Sequence, residues 1–210
     1  MFKCPRQDQL VYKIYIDSVG TNCYIFGSKK LREVIVIDPG SDADRIRDFM
    51  KKEGLVPKCV VNTHGHIDHI GGNAALGLPI YIHERDANFL TNPLLNLAPF
   101  YGTLKCSPKA SRLLKDNDII EDVSDISIRV IHTPGHTPGG ISLYHDGVVF
   151  TGDTLFFQGI GRTDLPYGSN KEIKSSIRDK LFLLDDATIV YPGHGEETTI
   201  GGEKRTNPWL

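Results

Sequence analysis

Apolar residues fall in short runs along this chain, and their spacing changes between a period of two and a helical period. "LVYKIYI" (10–16), "NCYIFG" (22–27) and "EVIVID" (33–38) are brief, rich in β-branched and aromatic residues, and predict three strands. Asp38-Pro39-Gly40 is a turn. The period then switches: in "SDADRIRDFMKKEG", Ile46, Phe49 and Met50 stand at i, i+3 and i+4, so a helix is expected. Ser41 is its expected N-cap with Asp44 at the third helical position, and Gly54 ends it. "KCVVN" (58–62) is a buried-type strand, followed by a short helix from about Asp68 to Leu76, a strand at 79–83 and a helix at 84–90.

From Thr91 to Leu114 no period holds, and three prolines interrupt the run, which predicts a long loop suited to binding. Strand signals return in "ISIRVIH" (126–132), "GISLYH" (140–145) and "VVFTG" (148–152), the last two joined by an Asp146-Gly147 hairpin turn. "SNKEIKSSIRDKLFLL" predicts a helix with Ser169 and Glu172 as a capping box and Ile173, Ile177 and Leu181 on one face. "ATIVY" (187–191) is the last clear strand. With no repeat, linker or low-complexity segment, the chain reads as one α/β domain over 1–210.

Composition narrows the possible roles. The 210 residues carry a net charge of −2, so nothing in the charge balance points to nucleic acid or an anionic membrane. Four scattered cysteines with no CxxC pair fit free thiols in a reducing compartment. The N-terminus lacks an apolar signal core, and no apolar run approaches the roughly 18 residues of a membrane span. A cytoplasmic protein, monomeric or a small homo-oligomer, is the expectation.

The chemistry is concentrated in "NTHGHIDHIGG" (62–72), which places three of the chain's 8 histidines and an aspartate within six positions. Neutral imidazole and carboxylate are the side chains that bind Zn, Fe and Mn. Each candidate ligand follows a predicted strand: His64, His66, Asp68 and His69 after "KCVVN", His136 after "ISIRVIH", Asp153 after "VVFTG" and His194 after "ATIVY". Sites in open α/β sheets form at that carboxyl edge. Seven ligands exceed one tetrahedral ion and suit two metals. His64 and His66, two apart on an extended loop, can chelate one ion. Asp68 and His69 open a helix, face another way and can hold the second. Asp153 suits the bridge.

The motifs "THGHIDH", "HTPGH", "TGD" and "YPGH", in this order, resemble those of the metallo-β-lactamase superfamily over most of the chain. The resemblance implies a four-layer αββα sandwich with a dinuclear site at one edge of its two sheets. It implies that His64, His66 and His136 bind the first metal, that Asp68, His69 and His194 bind the second, and that Asp153 bridges them. It also gives Asp38, in "VIDPG", a supporting role behind the ligands. "LFFQGIGRTDLPYGS" (155–169) and the tail "EKRTNPWL" look most like short glyoxalase II-like hydrolases, which resemble the hydroxyacylglutathione hydrolases.

The resemblance implies a hydrolase that cleaves a small-molecule thioester such as S-lactoylglutathione. Two divalent ions, Zn first with Fe or Mn as alternatives, would supply a bridging hydroxide, and Asp68 would orient it. A thiolate leaves readily because a free thiol has a pKa of roughly 8.5, so no dedicated acid is required. Arg162 falls where the glyoxalase II group often places a basic substrate contact; its alternative is an ion pair with Asp164. Tyr101, Phe157, Phe156 and Phe100 are candidates for a pocket wall. The helical C-terminal domain of full-length glyoxalase II is not represented here. The active-site Cys of the best-known zinc β-lactamases is replaced by Asp153, so β-lactam cleavage is not expected. The competing readings are a mononuclear iron persulfide dioxygenase of the same fold and a metal-stabilised binding protein without turnover.

Overall fold

The computed structural model describes residues 8–210. Six strands form the first sheet in sequence order: β1 (Gln9–Ile16), β2 (Thr21–Ser28), β3 (Glu33–Ile37), β4 (Val56–Val61), β5 (Ile80–His83) and β6 (Arg112–Leu114). β1, β2 and β3 are antiparallel neighbours, and β3 to β6 run parallel. The second sheet begins with the antiparallel β7 (Ile119–Val123), β8 (Ile126–His132), β9 (Ile141–His145) and β10 (Val148–Gly152). A small hairpin, β11 (Leu155–Phe156) and β12 (Gly159–Ile160), follows. β13 (Ile189–Pro192) then pairs parallel to β10, with β14 (Thr198–Thr199) antiparallel outside it.

Strand alternation builds the layers. On β3, Ile35 and Ile37 point between the sheets, where they join Tyr24, Phe26, Val61, Phe150 and Tyr191. Val34 and Val36 face the opposite way, under Ile46 and Met50 of helix α1 (Ala43–Lys52). The outer face of the second sheet offers Ile131, Val149 and Val190 to Ile173 and Ile177 of a helix at Asn170–Asp179, and to Ile200 of a C-terminal helix at Ile200–Thr206. Helix, sheet, sheet and helix stack in the expected αββα order.

Several local expectations need correction. Asp42, not Ser41, caps α1, its side chain accepting from the Arg45 backbone N–H, because the helix starts one residue later than the sequence pattern places it. The expected helix at 68–76 is two short turns, α2 (Ile67–Ile70) and α3 (Asn73–Leu76). Gly71 and Gly72 between them lie against the Pro39-Gly40 turn, where an added Cβ on Gly71 would sit 2.9 Å from the Gly40 carbonyl oxygen. The run at 84–90 is a 3₁₀ turn, Glu84–Asp86, leading into α4 (Ala87–Thr91). The long loop ends in β6, and β7 follows it; both are short edge elements with little apolar alternation. Helix α5 (Asn170–Asp179) has half of its capping box: Ser169 Oγ accepts from Glu172 N–H, while the Ser169 N–H goes to the Gly135 carbonyl at 2.7 Å. α6 (Ile200–Thr206) was not anticipated, since three of its first residues are Ile-Gly-Gly. Among the described residues no helix is long and apolar enough to cross a membrane.

Candidate metal centre

β3, β4 and β5 run in one direction in the first sheet, and β8, β10 and β13 run together in the second. All the candidate ligands lie beyond the carboxyl ends of these strands. Direct bonds hold the two sheets together at that edge. Ile141 N–H donates to the Thr63 carbonyl, Asn22 N–H to the Gly193 carbonyl, and the Tyr24 hydroxyl to the Pro192 carbonyl at 2.8 Å.

Three three-residue groups of ligand atoms form there: His64, His66 and His136; Asp68, His69 and His194; and, sharing members with both, Asp38, His64 and His69. The first two match the expected ligand sets. In the first, His66 Nδ1 lies 3.1 Å from His64 Nε2 and 2.9 Å from His136 Nε2. In the second, His194 Nε2 lies 3.3 Å from both His69 Nε2 and Asp68 Oδ2. The Asp153 carboxylate lies between the groups: Oδ1 is 3.4 Å from His69 Nε2, and Oδ2 is 3.5 Å from His136 Nε2 and 3.6 Å from His194 Nε2.

The backs of the rings fix their fronts. His136 Nδ1 donates to the Arg162 carbonyl at 2.7 Å and His194 Nδ1 to the Gly20 carbonyl at 2.7 Å. His69 Nδ1 donates to Asp38 Oδ2 at 2.9 Å. A carbonyl only accepts, so in the neutral ring the hydrogen sits on Nδ1 and the inward Nε2 presents a lone pair. His64 is held in the same sense through Thr63 Oγ1, which donates to Asp38 Oδ2 at 2.5 Å. Asp38 thus supports His69 directly and His64 through Thr63. It also accepts the Thr63 N–H at 2.8 Å, with its backbone in the left-handed region.

These residues fit divalent cations. Lone pairs on several nitrogens face one another at about the separation of donors around one tetrahedral zinc, ~3.3 Å for bonds near 2.0–2.1 Å. Asp153 Oδ1 is buried with no hydrogen-bond partner, a costly condition that a cation relieves. Burial, aided by the neighbouring imidazoles, drives His64 well below its usual pKa and His66 down to about 3, so both stay neutral. The second group is short of positive charge. Burial opposes protonation of His69, yet the Asp153, Asp68 and Asp38 carboxylates together raise it well above the ordinary value.

A residue that the sequence pattern did not single out secures the first group. Asp86 is fully buried at the end of the 3₁₀ turn after β5. Its Oδ2 accepts from Gly65 N–H at 3.0 Å and Thr137 Oγ1 at 2.7 Å, and its Oδ1 accepts from Gly139 N–H at 2.6 Å. It thereby clamps the loop of His64 and His66 to the loop of His136. Burial pushes its carboxyl up to about 6 against the three hydrogen bonds that lower it. Its position past a strand end on the active edge was the available signal.

The remaining candidates divide. A cavity of about 690 Å³ opens over the site, lined in part by Asp68, Tyr101, Phe100, Phe156 and Arg162. Burial, with the nearby Asp68 carboxylate, pushes the Tyr101 hydroxyl up to about 12. Phe157 is 50% exposed and is not part of the lining; its neighbour Phe156 takes that place. The Arg162 side chain is engaged by Asp164. His83 and His132 stack on each other at 4.1 Å behind the site, and His145 sits at the far end of its strand, donating to the Ser127 carbonyl.

The family model for the metallo-β-lactamase superfamily matches residues 16–194, which contain every candidate ligand. The chain belongs to the metallo-β-lactamase superfamily. Among its superfamily relatives, hydroxyacylglutathione hydrolase GloC of Haemophilus influenzae is 36% identical over 90% of this chain and 92% of its own. The crystal structure of the BLEG-1 B3 metallo-β-lactamase superposes with a TM-score of 0.91 at 36% identity, covering 96% of this chain and 99% of that one. TTHA1623, solved in a di-iron-bound form, gives a TM-score of 0.85 at 33% identity over 95% of this chain and 100% of that one. These likenesses support a glyoxalase II-like metallo-hydrolase within the superfamily.

Proposed function

We propose that the protein is a dinuclear metal-dependent hydrolase of thioesters, the substrate class of S-lactoylglutathione. The observation that carries the two-ion reading is Asp153, whose carboxylate lies within 3.6 Å of ligand nitrogens from both groups. The GloC likeness supports the thioester. Zn is the metal proposed first, with Fe next given the di-iron form of TTHA1623.

His64, His66 and His136 would hold one ion, and Asp68, His69 and His194 the other, with Asp153 between them. Two such ions acidify water and polarise a carbonyl. The chain's own residues do the rest. Asp68 borders the cavity, and its carboxylate orients the attacking water by accepting a hydrogen bond. Tyr101 lines the cavity beside Asp68. The departing thiolate needs no protein acid, given its pKa of roughly 8.5.

Metal analysis of protein purified without added metal, joined to a panel of thioesters, tests the reading. Two bound ions per chain and thioester turnover are expected. The BLEG-1 likeness makes a β-lactam the natural counter-substrate, and β-lactam cleavage without thioester cleavage would replace the reading. One iron per chain with oxygen uptake on glutathione persulfide would replace it with the dioxygenase.

A further inference from the structure

One wall of the cavity depends on a carboxylate that lies outside it. Phe156 and Ile160 line the cavity from the β11–β12 hairpin, and Phe156 meets the His194 ring edge-on, with 6.2 Å between centroids. The hairpin joins two parts of the metal centre. It begins just after Asp153, and just beyond it the Arg162 carbonyl receives His136 Nδ1. Gly161 packs so closely on the Asp153 carbonyl that an added Cβ would collide with it. Yet the hairpin pairs only Leu155 with Ile160 and Phe156 with Gly159, and its turn holds Gln158 in the left-handed region. A hairpin this short is not stable by itself, and that turn conformation is unfavourable for a residue with a side chain.

Glu203 of α6 supplies the anchor. It is 1% exposed, and a glutamate is almost never so buried without partners. Its carboxylate accepts three hydrogen bonds. Oε2 accepts from Gln158 N–H at 2.9 Å and from Asn207 Nδ2 at 2.8 Å, and Oε1 accepts from Thr198 Oγ1 at 2.6 Å. Asn207 Nδ2 gives its other hydrogen to the Gly159 carbonyl at 3.0 Å. Gln158 and Gly159 are therefore both tied to the C-terminal helix. Thr198 ties the same carboxylate to β14, which pairs with β13, the strand that leads to His194. Removing the acceptor leaves three buried donors to find other partners, and the hairpin loses its hold on the fold.

Resting on the thioesterase reading, we infer that Glu203 is a positioning residue for the reaction: its three accepted hydrogen bonds fix the β11–β12 hairpin, and with it the Phe156 and Ile160 wall along which the substrate's carrier lies. Glu203 touches neither the ions nor the substrate and acts through Gln158 and Asn207.

The test uses the metal-loaded protein and two esters with the same reacting group, S-lactoylglutathione and the S-lactoyl ester of 2-mercaptoethanol, whose carrier is too short to lie along the wall. In Glu203→Leu the kcat/KM ratio of the long ester to the short one should fall about tenfold, chiefly through KM of the long ester. A role in stability alone lowers the folded fraction and leaves that ratio unchanged. Glu203→Gln should restore the native ratio, because its amide oxygen can take the Gln158 and Asn207 donors while its amide nitrogen donates to the Thr198 hydroxyl, which can also accept. If Glu203→Leu does not fold, Asn207→Ala removes the Gly159 tether and should move the ratio in the same direction. Amide hydrogen exchange gives a readout independent of turnover: in Glu203→Leu the 155–160 segment should exchange about tenfold faster, with β8 and β10 at native rates. An unchanged ratio in the folded variant, a Glu203→Gln as impaired as Glu203→Leu, or native exchange in the hairpin overturns the inference. If the native chain cleaves neither ester, the hydrolase reading fails, and the exchange measurement alone decides whether Glu203 holds the wall.

Discussion

The Thr137 hydroxyl donates to the buried Asp86 carboxylate at 2.7 Å, on the same oxygen that accepts the Gly65 N–H. Through this contact the strand-end loops of two different sheets share one acceptor, and the His64, His66 and His136 nitrogens are held at their close spacing. Asp86→Ala leaves two buried N–H groups and a hydroxyl without their acceptor, at about 1–3 kcal/mol each, less whatever water recovers. We expect a loss of about 3–5 kcal/mol in stability and a 10–100-fold weaker first ion, the usual scale for a support behind a ligand. Denaturant unfolding of the chelated protein and metal titration measure the two effects separately. Native affinity in a folded variant would show that the clamp is dispensable.

Asp153→Ala removes the carboxylate that reaches both groups. Fewer than two ions per chain are expected, with thioester turnover down by orders of magnitude, while the buried cluster between the sheets still folds. Elemental analysis and circular dichroism on one sample check this. Two retained ions with full turnover would falsify the bridge.

The sequence made the architecture legible where physical signals were strong. β2, β3, β4, β8 and β10 carry dense β-branched and aromatic runs, and the ligand loops follow their ends as anticipated. The edges were harder. β6 and β7 are three and five residues long and sit at sheet margins, where one side needs no apolar cover. Helix α6 is hidden by its glycines, which it tolerates because Gly201 packs so closely on Asp186 that an added Cβ would lie 2.8 Å from its side chain. Asp86 lies in "HERDANF", a stretch that reads as an ordinary polar helix start; its role depends on burial, which local sequence does not display. Phe156 and Phe157 are adjacent and alike, and only the β11–β12 hairpin decides which one faces the cavity.

Tyr101→Phe removes a hydroxyl that the nearby Asp68 carboxylate influences, leaves the ring in the cavity wall, and tests whether the two groups bond during turnover. A neutral hydrogen bond contributes about 0.5–1.5 kcal/mol, somewhat more to a charged group. A 3–20-fold fall in kcat is expected, with metal content near native. Unchanged kcat would confine Tyr101 to lining the pocket.

Gly193 separates β13 from His194, and its lack of a side chain is required by packing. A Cβ there would lie 2.3 Å from Asp153 Oδ1 and 2.8 Å from His69 Cε1. Gly193→Ala must therefore push the bridging carboxylate or the His69 ring out of line. The expected outcome is loss of the second ion before the first, read by stepwise metal titration. If both ions load normally, the edge has slack that the geometry does not show.

The stacked His83 and His132 pair sets a pH dependence apart from the ligands. The rings lie 4.1 Å apart and nearly parallel, and His132 Nε2 donates to the Pro138 carbonyl within the loop that carries His136. Burial, reinforced by the neighbouring imidazole, lowers His83 to about 4; burial also lowers His132, against the Pro138 bond that raises it. An unfolded histidine titrates near 6.5. Between about 6.5 and 4 the unfolded chain therefore binds more protons than the folded one, so the pair's contribution is full above that window and is lost as pH falls through it. His64 and His66 act in the same direction, so the measurement needs a variant with the metal chelated throughout. His83→Phe keeps an aromatic face for the stack and removes one titrating group. Urea unfolding at pH 7 and pH 5 should show a smaller loss of stability on acidification in His83→Phe than in the native chain. Equal losses would mean that the pair admits a proton without cost and does not contribute to the acid sensitivity of the His136 loop.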